Sequence, residues 1–386
     1  MPPGNLANDL ALAHLGEPGS RSLISTPALV CDLDLLIANV QRMASVATMA
    51  GVSLRPHTKT HKSAFIARHQ LDAGASGLSF AKLAEAETLV QQLLDDDAPA
   101  VSALVTSPLV GRAAAARAVA LATKCELIVV IDHPDGVDEI AQALHASDAT
   151  ISVLCDVDVG QRRSGVVGPD EAVSLVERVR SVANMSFGGV QGYGGQLQHL
   201  AGREGRREAA IASSRRLEEV IVALESAGHD VAIRTGGGTG TALIDLEIGV
   251  LNELQPGSYV FMDREYRDAL GDDPEGEFAQ SLTIATTVIS ANHPRFVTVD
   301  AGLKAMATDA GAPTVVGHHD AATFHFSSDE QSIVTNSPEH PFQRGQRLAL
   351  VPPHCDSTVD RYDVIWLVRG DVALDVIDVT ARGRSQ

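Results

Sequence analysis

The sequence predicts an α/β protein, a TIM-type (β/α)8 barrel followed by a C-terminal all-β domain. Between about residues 50 and 263, short β-rich apolar runs alternate with longer Ala-rich, charge-bearing stretches of helical spacing. Eight such runs occur, and the first five begin about 25 residues apart, the length of one strand, turn and helix. After Asp263, short alternating runs follow without helical stretches between them. The period alone does not prove that the sheet closes, so an open doubly wound sheet is the alternative.

The predicted elements divide the chain into two domains. The strands of the barrel begin near Val52, Gly77, Val101, Glu126, Ile151, Phe187, Val231 and Glu253. A helix over about residues 34–50 and an extra strand within STPALVCDL precede them. We expect residues 28–265 to form the barrel, and residues 1–27 with 266–386 to form the β domain. Two domains suit 386 residues at roughly 100 to 200 residues per domain.

Charge and composition restrict the partners. The chain carries 30 basic and 49 acidic residues, a formal charge of −19 at pH 7. This charge repels nucleic acid and anionic membranes and favours a small-molecule substrate. The four cysteines form no CxxC pair, which argues against a disulfide scaffold or a zinc knuckle. The amino-terminal residues lack the pattern of a secretion signal, and no run of 18 apolar residues occurs, so we expect a cytoplasmic location.

A basic segment, RPHTKTHK, ends the first predicted barrel strand. Strand alternation would place Arg55, His57, Lys59 and His61 on one face, and the carboxyl ends of barrel strands form the active-site rim. Lys59 is then expected to point into the site. There, low-dielectric walls and cationic neighbours would lower the pKa of its amine and suit it to Schiff-base chemistry. The alternative is a solvated basic loop.

A glycine-rich segment, RTGGGTGT, follows the seventh predicted strand. Its consecutive glycines would let backbone N–H groups converge on a phosphate, and phosphate sites of such barrels lie after strands seven and eight. The predicted phosphate ligands are Gly236, Gly237, Gly238 and Thr239, with Gly257 and Ser258 from the eighth strand. The segment matches neither the Walker pattern nor the dinucleotide fingerprint. The alternative is a flexible turn.

Two further segments would bring polar and aromatic groups to the same rim. They are DVGQRRSG after the fifth strand and QGYGGQLQH after the sixth. Either segment alone would be a weak signal.

A candidate metal motif, PPHCDST, lies in the predicted β domain. On an extended segment, His354 and Asp356 would face the same way and could bind one divalent ion. Imidazole with carboxylate suits manganese, zinc, cobalt or magnesium, and two ligands do not specify the metal. Cys355 would face the other way, although a pairing of His354 with Cys355 stays open.

Together these segments resemble the fold-type III pyridoxal-phosphate enzymes with an alanine racemase-type barrel. Within them, the chain resembles the D-threonine aldolase and D-serine dehydratase-like family from about STPALVCDLDLL to DVIDVTARG. PHTKTHK is similar to the family's cofactor-lysine motif, TGGGTGT to its phosphate loop, and HCDSTVDRYD to its metal motif, HxDPT in the aldolase branch. The recurrence of all three in the family's order is more specific than any one of them.

The resemblance implies a role for each candidate residue. Lys59 would hold pyridoxal 5'-phosphate, Arg163 would approach the phenolic oxygen of the cofactor, and Tyr193 would contact its pyridine ring. The glycine-rich ligands would bind the phosphate. His354 and Asp356 would hold the divalent metal, with manganese expected first. His199 matches a histidine that could assist proton transfer at the substrate's β-hydroxyl, the alternative being a solvent-exposed loop histidine.

Small departures from the family pattern bear on specificity. Ser357 stands where the aldolase motif has proline, and Gly194 replaces a residue that is often polar. The dehydratase branch is marked by His-x-Cys at the metal, whereas Asp356 occupies that second position here. This favours the aldolase.

The resemblance implies retro-aldol cleavage of D-β-hydroxy-α-amino acids of the D-threonine type to glycine and an aldehyde. A metal-dependent dehydratase of D-serine or D-3-hydroxyaspartate is the first alternative. In a racemase, the proposed metal motif His354-Cys355-Asp356 would have no role. A non-catalytic pyridoxal-phosphate carrier would typically lack the β domain. A homodimer is expected, in which the β domain of one subunit lies over the barrel mouth of the other.

Overall fold

The chain forms two sheets in a computed structural model that describes residues 9–96, 101–145, 147–271, 273, 277–318, 321–335 and 341–386. One sheet has eight parallel strands, and the other has nine strands of mixed direction. Among the helices of these residues, none has both the length and the apolar composition that a membrane crossing requires.

The first elements lead from one sheet into the other. They are α1 (Asp9–Ala13), β1 (Ala28–Asp32) and α2 (Leu33–Ala50). Strand β1 pairs with residues 282–285 and 366–368 of the second sheet, although it lies within the range expected for the barrel. The Asp32 carboxylate accepts the backbone N–H groups of Asp34 and Leu35, which starts α2 directly at the end of this strand.

Eight βα units form the barrel. In chain order they comprise β2 (Ser53–Leu54), α3 (Ala64–Asp72), β3 (Leu78–Phe80), α4 (Leu83–Asp95), β4 (Ser102–Val105), α5 (Arg112–Ala122), β5 (Glu126–Ile131), α6 (Pro134–Leu144), β6 (Ile151–Asp156), α7 (Pro169–Arg180), β7 (Met185–Gly192), α8 (Arg203–Ser226), β8 (Ile233–Gly236), α9 (Ala242–Ile248), β9 (Glu253–Leu254) and α10 (Arg264–Leu270). The strands run in the order β2-β9-β8-β7-β6-β5-β4-β3. A parallel bridge between His57 and Ser79 joins the two ends of this series, so the predicted barrel is confirmed.

Alternate residues of the strands face a separate core inside the barrel. Leu104, Ile128, Val130 and Leu154 form this buried cluster, with Ile233 packed against it. Their sequence neighbours pack outward against the helices. This use of both faces explains why the strands are continuous apolar runs.

The second sheet contains the remaining strands and one short helix. These are β10 (Leu282–His293), β11 (Phe296–Val299), β12 (Thr314–Val315), β13 (Phe324–Phe326), β14 (Ser332–Thr335), β15 (Arg347–Val351), α11 (Cys355–Val359), β16 (Val364–Arg369) and β17 (Val372–Asp378). The order is β13-β14-β11-β10-β1-β16-β17, and β15 pairs with β10 and β12. Strands β1 and β16 pair in parallel, and the other pairs are antiparallel.

Two segments that we predicted to be turn-rich or extended are helical. Helix α10 lies in the first, and α11 begins directly after His354. The buried Asp263 carboxylate explains both, because it accepts the N–H of Tyr266 at 2.9 Å and the N–H of Cys355 at 2.8 Å. One side chain thus caps α10 and fixes the start of α11 beside the barrel.

Candidate active site

A cavity of about 580 Å³, open to solvent, lies at the carboxyl ends of the barrel strands. Of the predicted site residues, Lys59, Arg163, Tyr193, Gly238, Thr239, Gly257 and Ser258 line it. This is the end of a (β/α)8 barrel where catalytic groups gather.

Lys59 meets Asp356 at the edge of this cavity. The Lys59 Nζ lies 3.7 Å from Asp356 Oδ2, so the barrel and α11 of the second sheet meet here. Burial raises the pKa of Asp356, but Lys59 and His354 outweigh this effect and lower it to about 2. Burial lowers the pKa of Lys59, yet its interactions with Tyr193 and Asp356 raise it by more, so the net direction is upward. That direction is opposite to the one expected from the sequence, because the expectation considered the low-dielectric walls and cationic neighbours, whereas Tyr193 and Asp356 raise the pKa.

Tyr193 stands between two cations. Its ring centroid is 5.8 Å from Lys59 Nζ and 5.7 Å from Arg163 Cζ. Both distances suit cation–π contacts, which hold the aromatic ring beside the lysine.

The basic segment does not present one continuous face. His57 lines the cavity, whereas Arg55 forms an ion pair with Glu253 at 2.9 Å and His61 hydrogen-bonds Gln70 at 3.2 Å, both buried. The strand alternation stops because residues 58–60 form a 3-10 turn. Burial and the Lys59 charge hold the pKa of His57 well below its usual value, so its ring is neutral.

Only some glycines of the glycine-rich loop line the cavity, and others are needed for close backbone packing or for a positive φ. Gly236 and Gly237 do not line the cavity: a Cβ at Gly236 would meet Gly192 O at 2.1 Å, and Gly237 has φ +71°. In the described part of the chain, the backbone N–H groups of Thr239, Gly257 and Ser258 have no hydrogen-bond acceptor. The Thr239 hydroxyl accepts the Tyr259 N–H at 3.0 Å and keeps its own proton to donate. These free donors fit a phosphate.

His354 is oriented by two neighbours. Asp309 Oδ2 lies 2.6 Å from its Nδ1, and the Ser357 hydroxyl lies 3.0 Å from Nδ1 and 2.9 Å from Asp309 Oδ2. A carboxylate on Nδ1 leaves Nε2 available to bind a metal, which is the usual arrangement behind a metal-bound histidine. The Cys355 thiol is buried, which raises its pKa well above the usual value and disfavours it as the partner of His354.

The protein provides few side chains that could bind a metal ion. Across the ranges that the structure covers, no three His, Cys, Asp or Glu side chains gather into a metal cluster. His354 with the ionised Asp356 therefore fits a divalent ion that keeps several water or substrate ligands.

His199 lies beside these groups and is half-buried. Its ring centroid is 4.4 Å from that of Tyr266 and 6.5 Å from that of His354, and its Nδ1 is 3.5 Å from Glu265 Oε1. Its Nε2 is buried and has no partner among the described residues. This is not the environment of a solvent-exposed loop histidine.

Several residues of the site were missed from the sequence. Gln191 lies in a segment expected at the rim, whereas the missed cavity residues include Thr106, Ser107, Gln255 and Tyr266. The first three of these follow or end predicted strands, so the rule that catalytic groups lie at the carboxyl ends of barrel strands could have identified them. Asp309 and Glu265 act through side-chain contacts that carry no motif.

The fold and the cavity define a fold-type III pyridoxal-phosphate enzyme. Residues 31–265 match the family described as alanine racemase, N-terminal domain, and residues 281–368 match the putative serine dehydratase domain. The chain belongs to this family, in the branch that contains D-threonine aldolase and D-serine dehydratase-like proteins, and it is a lyase.

The similarity to known proteins extends along nearly the whole chain. A D-threonine aldolase of Arthrobacter sp. is 35% identical over 97% of this chain and 96% of its own length. A 3-hydroxy-D-aspartate aldolase of Paracoccus denitrificans (strain Pd 1222) is 33% identical, over 95% of each chain. The crystal structure of D-threonine aldolase from Filomicrobium marinum has a TM-score of 0.89 and 32% identity, and covers 95% of this chain and 97% of that chain.

Proposed function

We propose that this protein cleaves D-β-hydroxy-α-amino acids of the D-threonine type by a retro-aldol reaction, giving glycine and an aldehyde. The observation that carries the proposal is the 3.7 Å contact between Lys59 and Asp356. A cofactor-binding lysine and a metal-binding carboxylate that meet at one cavity can act on one small substrate from two sides.

The cofactor is pyridoxal 5'-phosphate, and the chain supplies the groups to hold it. Lys59 would bind its aldehyde, Arg163 would face its phenolic oxygen, and Tyr193 would pack on its ring. The free N–H groups of the glycine-rich loop and of residues 257–258 would take the phosphate. When bound, the cofactor accepts the electrons of the broken Cα–Cβ bond.

His354 and Asp356 would hold a divalent metal, with manganese expected first and magnesium, cobalt or zinc as alternatives. Such an ion lowers the pKa of a hydroxyl that it binds. Asp309 keeps Nε2 of His354 available for this role, as its 2.6 Å contact with Nδ1 supports.

His199 is proposed to receive the proton of the β-hydroxyl, directly or through a water. Its Nε2 has no partner among the described atoms, and Glu265 faces its Nδ1. Burial lowers the pKa of His199, which keeps its imidazole neutral and able to accept a proton. Loss of that proton lets the Cα–Cβ bond break to release the aldehyde, and protonation at Cα then completes glycine.

The alternative reaction is dehydration to a 2-oxo acid and ammonia. A D-threo-3-hydroxyaspartate dehydratase of Delftia sp. (strain HT23) is 31% identical over 75% of this chain and 74% of its own length. Asp356 at the position of the dehydratase-branch cysteine, and the wider match to D-threonine aldolase, support the aldolase.

Product identity separates the two reactions. Purified protein with pyridoxal phosphate and Mn²⁺ is incubated with D-threonine, D-threo-3-hydroxyaspartate and D-serine, and the products are identified by mass spectrometry. Glycine and acetaldehyde from D-threonine are expected. Ammonia and a 2-oxo acid as the main products would overturn the proposal. Light scattering of the same sample would test the homodimer that the family resemblance implies.

A further inference from the structure

Gln198 lies next to His199 but faces away from the solvent, with 2% of its surface exposed. It belongs to the β7–α8 loop (residues 193–202), which carries Tyr193 and His199. The sequence gives this glutamine no role, and its side chain is absent from the lining of the main cavity.

The Gln198 amide reaches across to the β8–α9 loop (residues 237–241). Its Oε1 accepts the N–H of Gly240 at 3.0 Å, and its Nε2 donates to Thr241 Oγ1 at 3.2 Å. The same Nε2 donates to the carbonyl of Gly194 at 3.2 Å, within its own loop. Two hydrogen bonds of this buried amide therefore join the two loops, and the third holds the amide within its own loop.

Two glycines of the β8–α9 loop leave the space that Gln198 occupies. A Cβ at Gly238 would lie 2.4 Å from Gln198 Oε1, and one at Gly240 would lie 2.2 Å from the Gln198 carbonyl oxygen. The N–H of Gly240 is occupied by Gln198, and that of Gly238 by Thr241 Oγ1 at 3.3 Å. These two glycines thus serve the contact between the loops, while Thr239 keeps the free N–H.

We propose that Gln198 is a positioning residue that couples occupancy of the phosphate site to the placement of Tyr193 and His199. An anion that fixes the β8–α9 loop fixes Gly240 and Thr241. Through the Gln198 amide it then restricts the β7–α8 loop. The inference rests on the proposed placement of the cofactor phosphate at the β8–α9 loop.

The test is hydrogen exchange of the full-length protein freed of cofactor, with and without inorganic phosphate. In the wild-type protein, phosphate is expected to slow amide exchange in both loops. In Gln198→Leu, phosphate is expected to protect residues 237–241 but no longer residues 193–200. The Kd for pyridoxal phosphate, measured by absorbance titration, is expected to rise about tenfold.

Two further variants make the result interpretable. Gln196→Leu changes the same residue type two positions away on the exposed side of the loop, and it should behave as the wild-type protein does. Gln198→Glu keeps an acceptor for the Gly240 N–H but loses both donated bonds. Only one of the two hydrogen bonds between the loops is then lost, so phosphate should protect residues 193–200 less than in the wild-type protein but not lose this protection entirely. This intermediate result can be measured even if the leucine variant fails to fold.

The outcomes separate this inference from the proposed function. Protection of residues 237–241 without protection of 193–200 in the wild-type protein, or equal protection of both loops in the Gln198 variants, would overturn the coupling alone. No protection of residues 237–241 by phosphate in the wild-type protein would overturn the phosphate site and the coupling with it.

Discussion

Two lysines three positions apart have different surroundings. Lys59 faces the cavity and one carboxylate at 3.7 Å, whereas Lys62 lies between Asp360 at 2.7 Å and Glu85 at 3.1 Å. Lys62 therefore ties the barrel to the segment after α11, and its two partners leave it no access to a ligand. The residue type alone does not separate these roles, because both lysines occur in one short motif.

Lys59→Ala is expected to abolish covalent attachment of pyridoxal phosphate and lower turnover by at least about a thousandfold. The check is borohydride reduction followed by peptide mass spectrometry. Lys62→Ala is the matched comparison. It leaves Glu85 buried without its cation, so unfolding should need about 3 kcal/mol less free energy while attachment at position 59 persists. Attachment of the cofactor to another lysine would contradict the assignment.

Asp309→Asn is expected to weaken Mn²⁺ binding by about ten- to a hundredfold, because an amide orients the His354 ring less firmly than a carboxylate. Electron paramagnetic resonance of free Mn²⁺ gives the affinity without an activity assay. Ser357→Ala, which removes the hydroxyl that contacts both groups, should show a smaller loss in the same direction. Asp268→Asn, at an exposed ion pair with Arg264, is the control. Unchanged affinity in Asp309→Asn would exclude a role for this carboxylate behind the metal.

At the scale of elements, the first turn of α9, directly after the glycine-rich loop, contains the buried acid Asp245. Thr241 donates to Asp245 Oδ2 at 2.6 Å. Burial raises the pKa of Asp245 to about 7, and the bond from Thr241 offsets this only in part. The helix therefore presents to the loop an acid that is about half protonated at neutral pH.

Asp245 should make stability fall as pH rises from about 4 to about 7. In this window the folded state holds a proton that the unfolded state has released, so the free energy of unfolding decreases with pH and then levels off. Asp245→Asn lacks this decrease and should be more stable than the wild-type protein above pH 7, by about 2–4 kcal/mol. Urea unfolding at several pH values measures it. Parallel pH profiles for both proteins would contradict the assignment.

The elements were predictable where a period repeats. The starts of the eight barrel strands differ from the predicted ones by at most two residues. Each apolar run lies between stretches in which apolar residues have the spacing of a helix, so its ends are clear in the sequence. Helices α10 and α11 were not predictable, because the Asp263 carboxylate caps one and fixes the start of the other across 92 residues of sequence. The Asp309 contact with His354 likewise depends on tertiary packing alone.

At the scale of the whole molecule, the site is assembled from both sheets. The barrel supplies Lys59, and the second sheet, through α11, supplies Asp356 and the adjoining His354. The motifs identified these residues separately, yet their juxtaposition depends on how the sheets pack. A two-sheet site also separates the two proposed functions, since the residues proposed to hold the cofactor lie on the barrel and those proposed to bind the metal lie outside it.

This division predicts how the enzyme responds to a chelator. EDTA should abolish turnover of D-threonine while the absorbance of bound pyridoxal phosphate persists, because the residues proposed to hold the cofactor lie on the barrel and a chelator removes only the metal. Added Mn²⁺ should restore activity. Asp356→Ala should reproduce the chelated state and resist rescue, because the carboxylate that completes the metal site is gone. Loss of cofactor absorbance on chelation would show that the two halves of the site are not independent, and full activity in EDTA would remove the metal from the reaction.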